Sequence, residues 1–467
     1  MSENTERRYL KWYNKIGYGS GDIAGNVVYA FLSSFVMIYL TDTVGLNPGI
    51  VGTLIAVSKL FDGITDIFFG SMIDKTHSKL GKARPWMLYG QVGVSLCLFL
   101  LFAIPAGSTT MQYIYFFIVY TALNAVFYTA NNIAYSALTA LITKNNNERV
   151  QLGSFRFMFA VITNIVMGFS VTGLVEKFGG GTAGWRTTAL IFAIIGLVVN
   201  TISCLAVKEL PEEELNDNAT EAGTDTKAAP EEKRGFAETV KLLIHNKYYL
   251  MLLAIYIVYY IMSNLTTGAG VFCATYYWGD GSLLGQFSMM KMFPVIIALA
   301  IAPVLIKKTG SMQKVNFWGY AISSVLGIPM IYFAMQKNIS MFLLFMFIKG
   351  IFAGTLSGSL NALIAEASGY TTRTTGVHMD GMMYSCSSLG VKVGGGIGTA
   401  AVGWLLKLGG FVGTATVQSE SAIRMIFNLY ITFPFVIGII ITVLLAFLDV
   451  EKANKKWDAE HQKEAQA

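Results

Sequence analysis

The sequence predicts an all-α integral membrane protein with twelve transmembrane helices in two six-helix halves. Of its 467 residues 54% are hydrophobic and only 13% are charged, where soluble domains carry about 25% charged residues. Apolar runs of about 20 residues, each long enough to cross a bilayer as a helix, recur along the whole chain. One long polar stretch, Lys208 to Lys247, divides these runs six and six.

The runs fall at 16–41, 49–73, 85–105, 112–143, 152–176 and 187–207, then at 248–277, 283–306, 315–335, 340–365, 378–406 and 425–448. This gives an N-terminal half at 1–207, a linker at 208–247, a C-terminal half at 248–448 and a charged tail at 449–467. Within the linker, Pro211–Arg234 has the composition of a disordered segment, and the stretch from Gly235 reads as a short interfacial helix. The polar N-terminus lacks a signal peptide's apolar core, so the first span is expected to act as an uncleaved signal.

Topology, not an acidic partner, explains the net charge of +6. Of the 34 Lys and Arg residues, 24 lie in the N-terminus, the even-to-odd loops and the tail, against 5 in the opposite loops. Both termini and the linker are therefore expected on the cytoplasmic side of the cell inner membrane. Nothing points to nucleic acid or to an obligatory protein partner.

Enzyme constellations are missing too. Cys97, Cys204, Cys273 and Cys386 are far apart and read as buried thiols; His77, His245, His378 and His461 have no ligand partner at metal-binding spacing. The glycine runs at Gly179 and Gly394 follow no predicted strand, which argues against a dinucleotide loop.

The informative residues are charges inside spans, each costing about 2.5–3.5 kcal/mol unless it meets a polar interior or a partner. Lys59, Asp62 and Asp66 in the second span share one helical stripe. Two ionised carboxylates one turn apart repel, a need met by a proton, a sodium ion or a buried cation. Lys59, Arg156 of the fifth span and Lys392 of the eleventh are available partners, and a static packing network is the alternative.

Asp22 and Asn26 share a face of the first span, in a stretch whose small residues permit close helix contact. Tyr128 to Tyr135 in the fourth span gathers amide, hydroxyl and aromatic groups suited to a sugar, although interhelical hydrogen bonding would use the same groups. Glycines in the eleventh span allow either close packing or bending.

Basic, glycine-containing loops follow both the second and the eighth spans, a weak echo of two related halves. Two six-helix halves are the plan of the major facilitator fold, whose substrate site lies between the halves near mid-membrane. The chain further resembles the glycoside-pentoside-hexuronide:cation symporter family along its whole length. The resemblance rests on GYGSGD with Asn26, YLTDTVGL, the run KLFDGITDIFFGSMIDKTHSKLGKARPW, NNIAY, and TGVHMDGMMYS followed by Lys392.

By motif position, the resemblance implies a cation site at Asp62, Asp66 and Thr129. These would be metal ligands only if the ion is sodium. Thr65 stands where melibiose-carrying members have Asn. Asn26 and Asn132 stand where those members carry sugar-binding aspartates, and Arg156 and Lys392 match their basic residues near the pocket. Ser136 and Ser357 replace tryptophans. Melibiose is therefore not the expected substrate. Asp22 and Tyr128 join Asn26, Asn132, Arg156 and Lys392 as candidate substrate-binding residues. The expected function is secondary active import of a glycoside, pentoside or hexuronide with H+ or Na+, without any cofactor. An uncoupled facilitator or an exporter of another solute is the alternative.

Overall fold

The computed structural model describes residues 7–211, 214, 242–375, 380–415 and 417–464, and these are helical with no strand among them. Most of the expected linker, including the disordered stretch and the start of the interfacial helix, lies outside the described residues, as does His378. The chain forms two compact units, one from Met1–Glu232 with Val412–Thr416 and one from Lys233–Phe411 with Val417–Ala467.

The first bundle holds α1 (Trp12–Thr43), α2 (Pro48–Asp74), α3 (Arg84–Leu101), α4 (Thr109–Leu141), α5 (Asn146–Lys177) and α6 (Gly181–Leu205). The second holds α7 (Lys247–Trp278), α8 (Leu283–Thr309), α9 (Met312–Met335), α10 (Ile339–Thr375) and α11 (Ser385–Leu408). Its α12 runs from Glu420–Phe427 through Asn428–Thr432 to Phe433–Phe447, and α13 (Val450–Glu464) follows. Ten helices among the described residues are long and apolar enough to cross a membrane. Charged α2 and α3, which opens on Arg84, bring the count into line with twelve spans.

Local chemistry sets the ends. Asn47 caps α2 by accepting from Gly49 N at 3.0 Å, with Pro48 at the first helical position, and Asn145 caps α5 through Glu148 N at 3.1 Å. Gly279 and Gly310 close α7 and α8 with φ of 80° and 64°, a region open to glycine at little cost. The third span ends at Leu101, earlier than its apolar run suggests, because Pro105 cannot continue the ladder.

Four spans contain a π-helical stretch: Tyr39–Thr43, Ala122–Tyr128, Cys273–Trp278 and Asn428–Thr432. Such stretches hold one residue more than the α ladder and frequently occur at functional sites.

The first bundle packs around Phe31, Tyr39, Phe102 and Trp185, with Phe31 and Phe102 stacked at 4.4 Å. In the second bundle α11 lies against α7 with little between the backbones. A Cβ at Gly398 would sit 2.6 Å from the Ile261 carbonyl oxygen, and one at Gly394 would collide with that of Ile257. The α11 glycines thus serve close packing within an unbroken helix. All four cysteines are free and buried.

One device appears in both bundles. Glu209, just past α6, accepts from the backbone N–H groups of Lys82, Ala83 and Arg84 at 2.7–3.0 Å, closing the start of α3. Glu451 in α13, just past α12, accepts from the Ser311 hydroxyl and from Met312 N at 2.7 Å, closing the start of α9. Through Glu451, and through Asn454 donating to Glu366, the charged tail is a docked helix.

Candidate functional site

Three glycines bring the first bundle's charges together. A Cβ at Gly17 would lie 2.5 Å from Ala206 Cβ, one at Gly19 2.7 Å from Phe155 Cβ, and one at Gly21 2.6 Å from Ser203 Oγ. Their absence lets the start of α1 sink against α5 and α6. Asp22, next in line, thereby meets Arg156 of α5, whose Nε donates to its Oδ2 at 2.6 Å. The guanidinium stacks over the Tyr135 ring of α4 at 4.1 Å, and the Tyr135 hydroxyl lies 3.1 Å from the same carboxylate oxygen. Arg156 therefore takes Asp22, where the sequence reading offered it to the second-span carboxylates.

Asn26, one turn beyond Asp22, donates to the Asp22 carbonyl at 2.8 Å and accepts from Asn164 of α5 at 3.1 Å. Sequence reasoning passed over Asn164. It stands eight residues after Arg156, two turns along and on the same face, and that register was the available signal. Tyr29, two turns beyond Asp22 on the same helix, was missed likewise.

On α2, Lys59 pairs with Asp62 at 3.2 Å, and both side chains are largely enclosed. Asp66 follows one turn on, partly buried. Thr65 turns back on its own helix, donating to the Phe61 carbonyl at 3.1 Å. Thr129 is buried and donates to the Asn124 carbonyl at 3.0 Å inside the π stretch of α4. With its proton so committed, the Thr129 oxygen retains lone pairs that a cation can use. The α2–α4 contact is also bridged by Thr121 and Ser58 at 3.1 Å.

Tyr128 ends the π stretch of α4 and is partly buried. Asn132 is exposed on α4. Its neighbour Asn131 is buried and donates to the Met87 carbonyl at 2.6 Å, so that amide fastens α4 to α3. Lys392 lies on α11 of the second bundle, partly buried.

Chemically, these residues of the first bundle supply three carboxylates (Asp22, Asp62 and Asp66) and two cations (Lys59 and Arg156). Among the described residues no group of three or more His, Cys, Asp or Glu is arranged to hold a metal ion. A sodium ion at α2 would thus draw on two carboxylates and neutral oxygens such as Thr129, whereas a proton requires only one carboxylate.

Comparison with known proteins fits this picture. The isoprimeverose transporter of Lactiplantibacillus pentosus is 27% identical over 465 residues, spanning 98% of this chain and 93% of that protein. The putative glycoside/cation symporter YagG of Escherichia coli (strain K12) is 25% identical over 448 residues, 95% and 93% of the two chains. In fold, the chain matches the inward-facing, unoccupied structure of a bacterial homologue of the human lysosomal transporter Spinster. The TM-score there is 0.65 at 14% identity, covering 96% of this chain and 99% of that one. The family model described as MFS/sugar transport protein matches residues 17–452, nearly the whole membrane region, and the chain belongs to that family of multi-pass transporters.

Proposed function

We propose that this transporter imports a glycoside, pentoside or hexuronide together with a cation, H+ or Na+, by alternating access. The observation that carries the coupling is the α2 stripe, where two carboxylates, Asp62 and Asp66, stand one turn apart on a helix that brings one lysine, Lys59, to 3.2 Å from Asp62. A single monovalent cation there brings this group of two acids and one base to neutrality, with Thr129 as a neutral oxygen beside it when the ion is sodium. The names of the relatives support both the sugar and the coupling. Asn26, Asn132, Asp22, Arg156, Lys392 and Tyr128 are the groups assigned to the sugar. The protein is placed in the cell inner membrane with both termini cytoplasmic, on the strength of the basic loops.

The test is uptake of a panel of labelled glycosides into vesicles carrying an imposed proton or sodium gradient, one at a time. One of the two gradients is expected to drive accumulation. Asp62→Asn and Asp66→Asn are expected to abolish accumulation while sugar exchange persists. Accumulation at the wild-type level in both variants would remove the coupling role; uptake indifferent to either gradient would favour an uncoupled facilitator.

A further inference from the structure

We infer that the second bundle carries a binding site for an organic anion, with Lys291 of α8 and Lys349 of α10 as its cationic groups. Both line one cavity of about 190 Å³ whose walls come from α7, α8, α9, α10 and α12 and include no aspartate or glutamate. Lys291 and Lys349 are the charged residues in its lining. Lys291 directs its protons at neutral oxygens, Thr267 Oγ1 at 2.9 Å, Thr266 Oγ1 at 3.4 Å and the Ser263 carbonyl at 3.5 Å.

An independent observation comes from Tyr320 of α9. It lines the same cavity and is 2% exposed, and its hydroxyl has no hydrogen-bond partner among the described residues. A buried donor is ordinarily satisfied, and a buried cation is ordinarily paired. A carboxylate or sulfonate in the cavity would answer both needs, accepting charge-assisted bonds from the lysines and a further bond from the phenol.

The packing makes this a built arrangement. A Cβ at Gly350 would lie 2.8 Å from Pro294 Cβ, and one at Gly354 2.7 Å from Ala298 Cβ, so α8 and α10 approach closely just C-terminal to both lysines. The inference rests on the sugar-transport reading only for the body that bears the anion, an acidic sugar.

The experiment measures binding by the full-length protein in lipid nanodiscs to methyl β-D-glucuronide, methyl sulfoquinovoside and methyl β-D-glucoside. One of the two anionic glycosides is expected to bind at least about tenfold tighter than the neutral one, and which of them does so distinguishes carboxylate from sulfonate. Lys291→Gln and Lys349→Gln are each expected to lower that affinity about tenfold while the neutral glycoside stays within about twofold. Equal affinity for all three sugars overturns the anion site and leaves sugar transport standing, as does an anion preference that survives in both variants. Binding of no glycoside overturns both. The wild-type panel alone decides the matter where a variant does not fold.

Discussion

The two bundles treat charges placed inside their helices in opposite ways. In the first, Arg156 is joined to Asp22 and Lys59 to Asp62, each pair assembled from side chains that are largely enclosed. In the second, Lys291 and Lys349 face a cavity without a carboxylate. A paired charge is a fixed part of the fold, and losing one partner strands the other. A cation held only by neutral oxygens is a standing demand for something from outside.

That contrast is open to direct attack, and the largest expected effect lies with the pairs. Arg156→Gln should lower stability by about 2–4 kcal/mol, because it removes the cation paired with the enclosed Asp22 carboxylate. Lys291→Gln should leave the thermal midpoint unchanged or raise it, since no partner is stranded. Unfolding midpoints in a single detergent check both, and a similar loss in the two variants would erase the distinction. The Asp22→Asn/Arg156→Gln double variant should recover part of the loss, giving a coupling of about 1–3 kcal/mol in a double-mutant cycle.

A somewhat smaller cost, about 1–3 kcal/mol, is expected for Gly394→Ala, whose new methyl meets the Ile257 backbone. Gly70 has open space around it, so Gly70→Ala should be neutral or slightly stabilising. Comparing the yield of folded protein for the two variants tests whether the α7–α11 contact is as tight as the geometry implies. The smallest effects should come from the shared capping device. Glu209→Gln and Glu451→Gln should each cost about 1 kcal/mol and by similar amounts. A strongly unequal pair of losses would show that the two bundles use their caps differently.

The spans were legible because apolar length is a property of local sequence, and the second-span charges were legible because their cost does not depend on the rest of the fold. Pairing was not. In sequence Arg156 was a partner for the second-span carboxylates, and only the approach of α1 at Gly17, Gly19 and Gly21 gives it to Asp22. Likewise, the periodicity of α4 could not separate Asn131, which fastens α4 to α3, from exposed Asn132 beside it. Lys291 and Lys349 were plain in the sequence as intramembrane lysines, yet that they line one cavity depends on contacts among helices far apart in the chain. The tail read as merely charged because its helix is held by Glu451 and Asn454, two residues whose partners lie about 90–140 positions away.

The π stretch at Ala122–Tyr128 bears on how the chain tolerates insertion and deletion. Removing one residue there would restore an ordinary ladder and leave the helix beyond it in nearly its present orientation, because the wide turn already absorbs the extra residue. What would change is local: the Thr129 hydroxyl would lose the Asn124 carbonyl, five residues back, that the wide turn presents to it. Length in this short stretch therefore sets how the Thr129 oxygen is committed, and a lineage that lost one codon would change that commitment in a single step while keeping the alignment of its fourth helix.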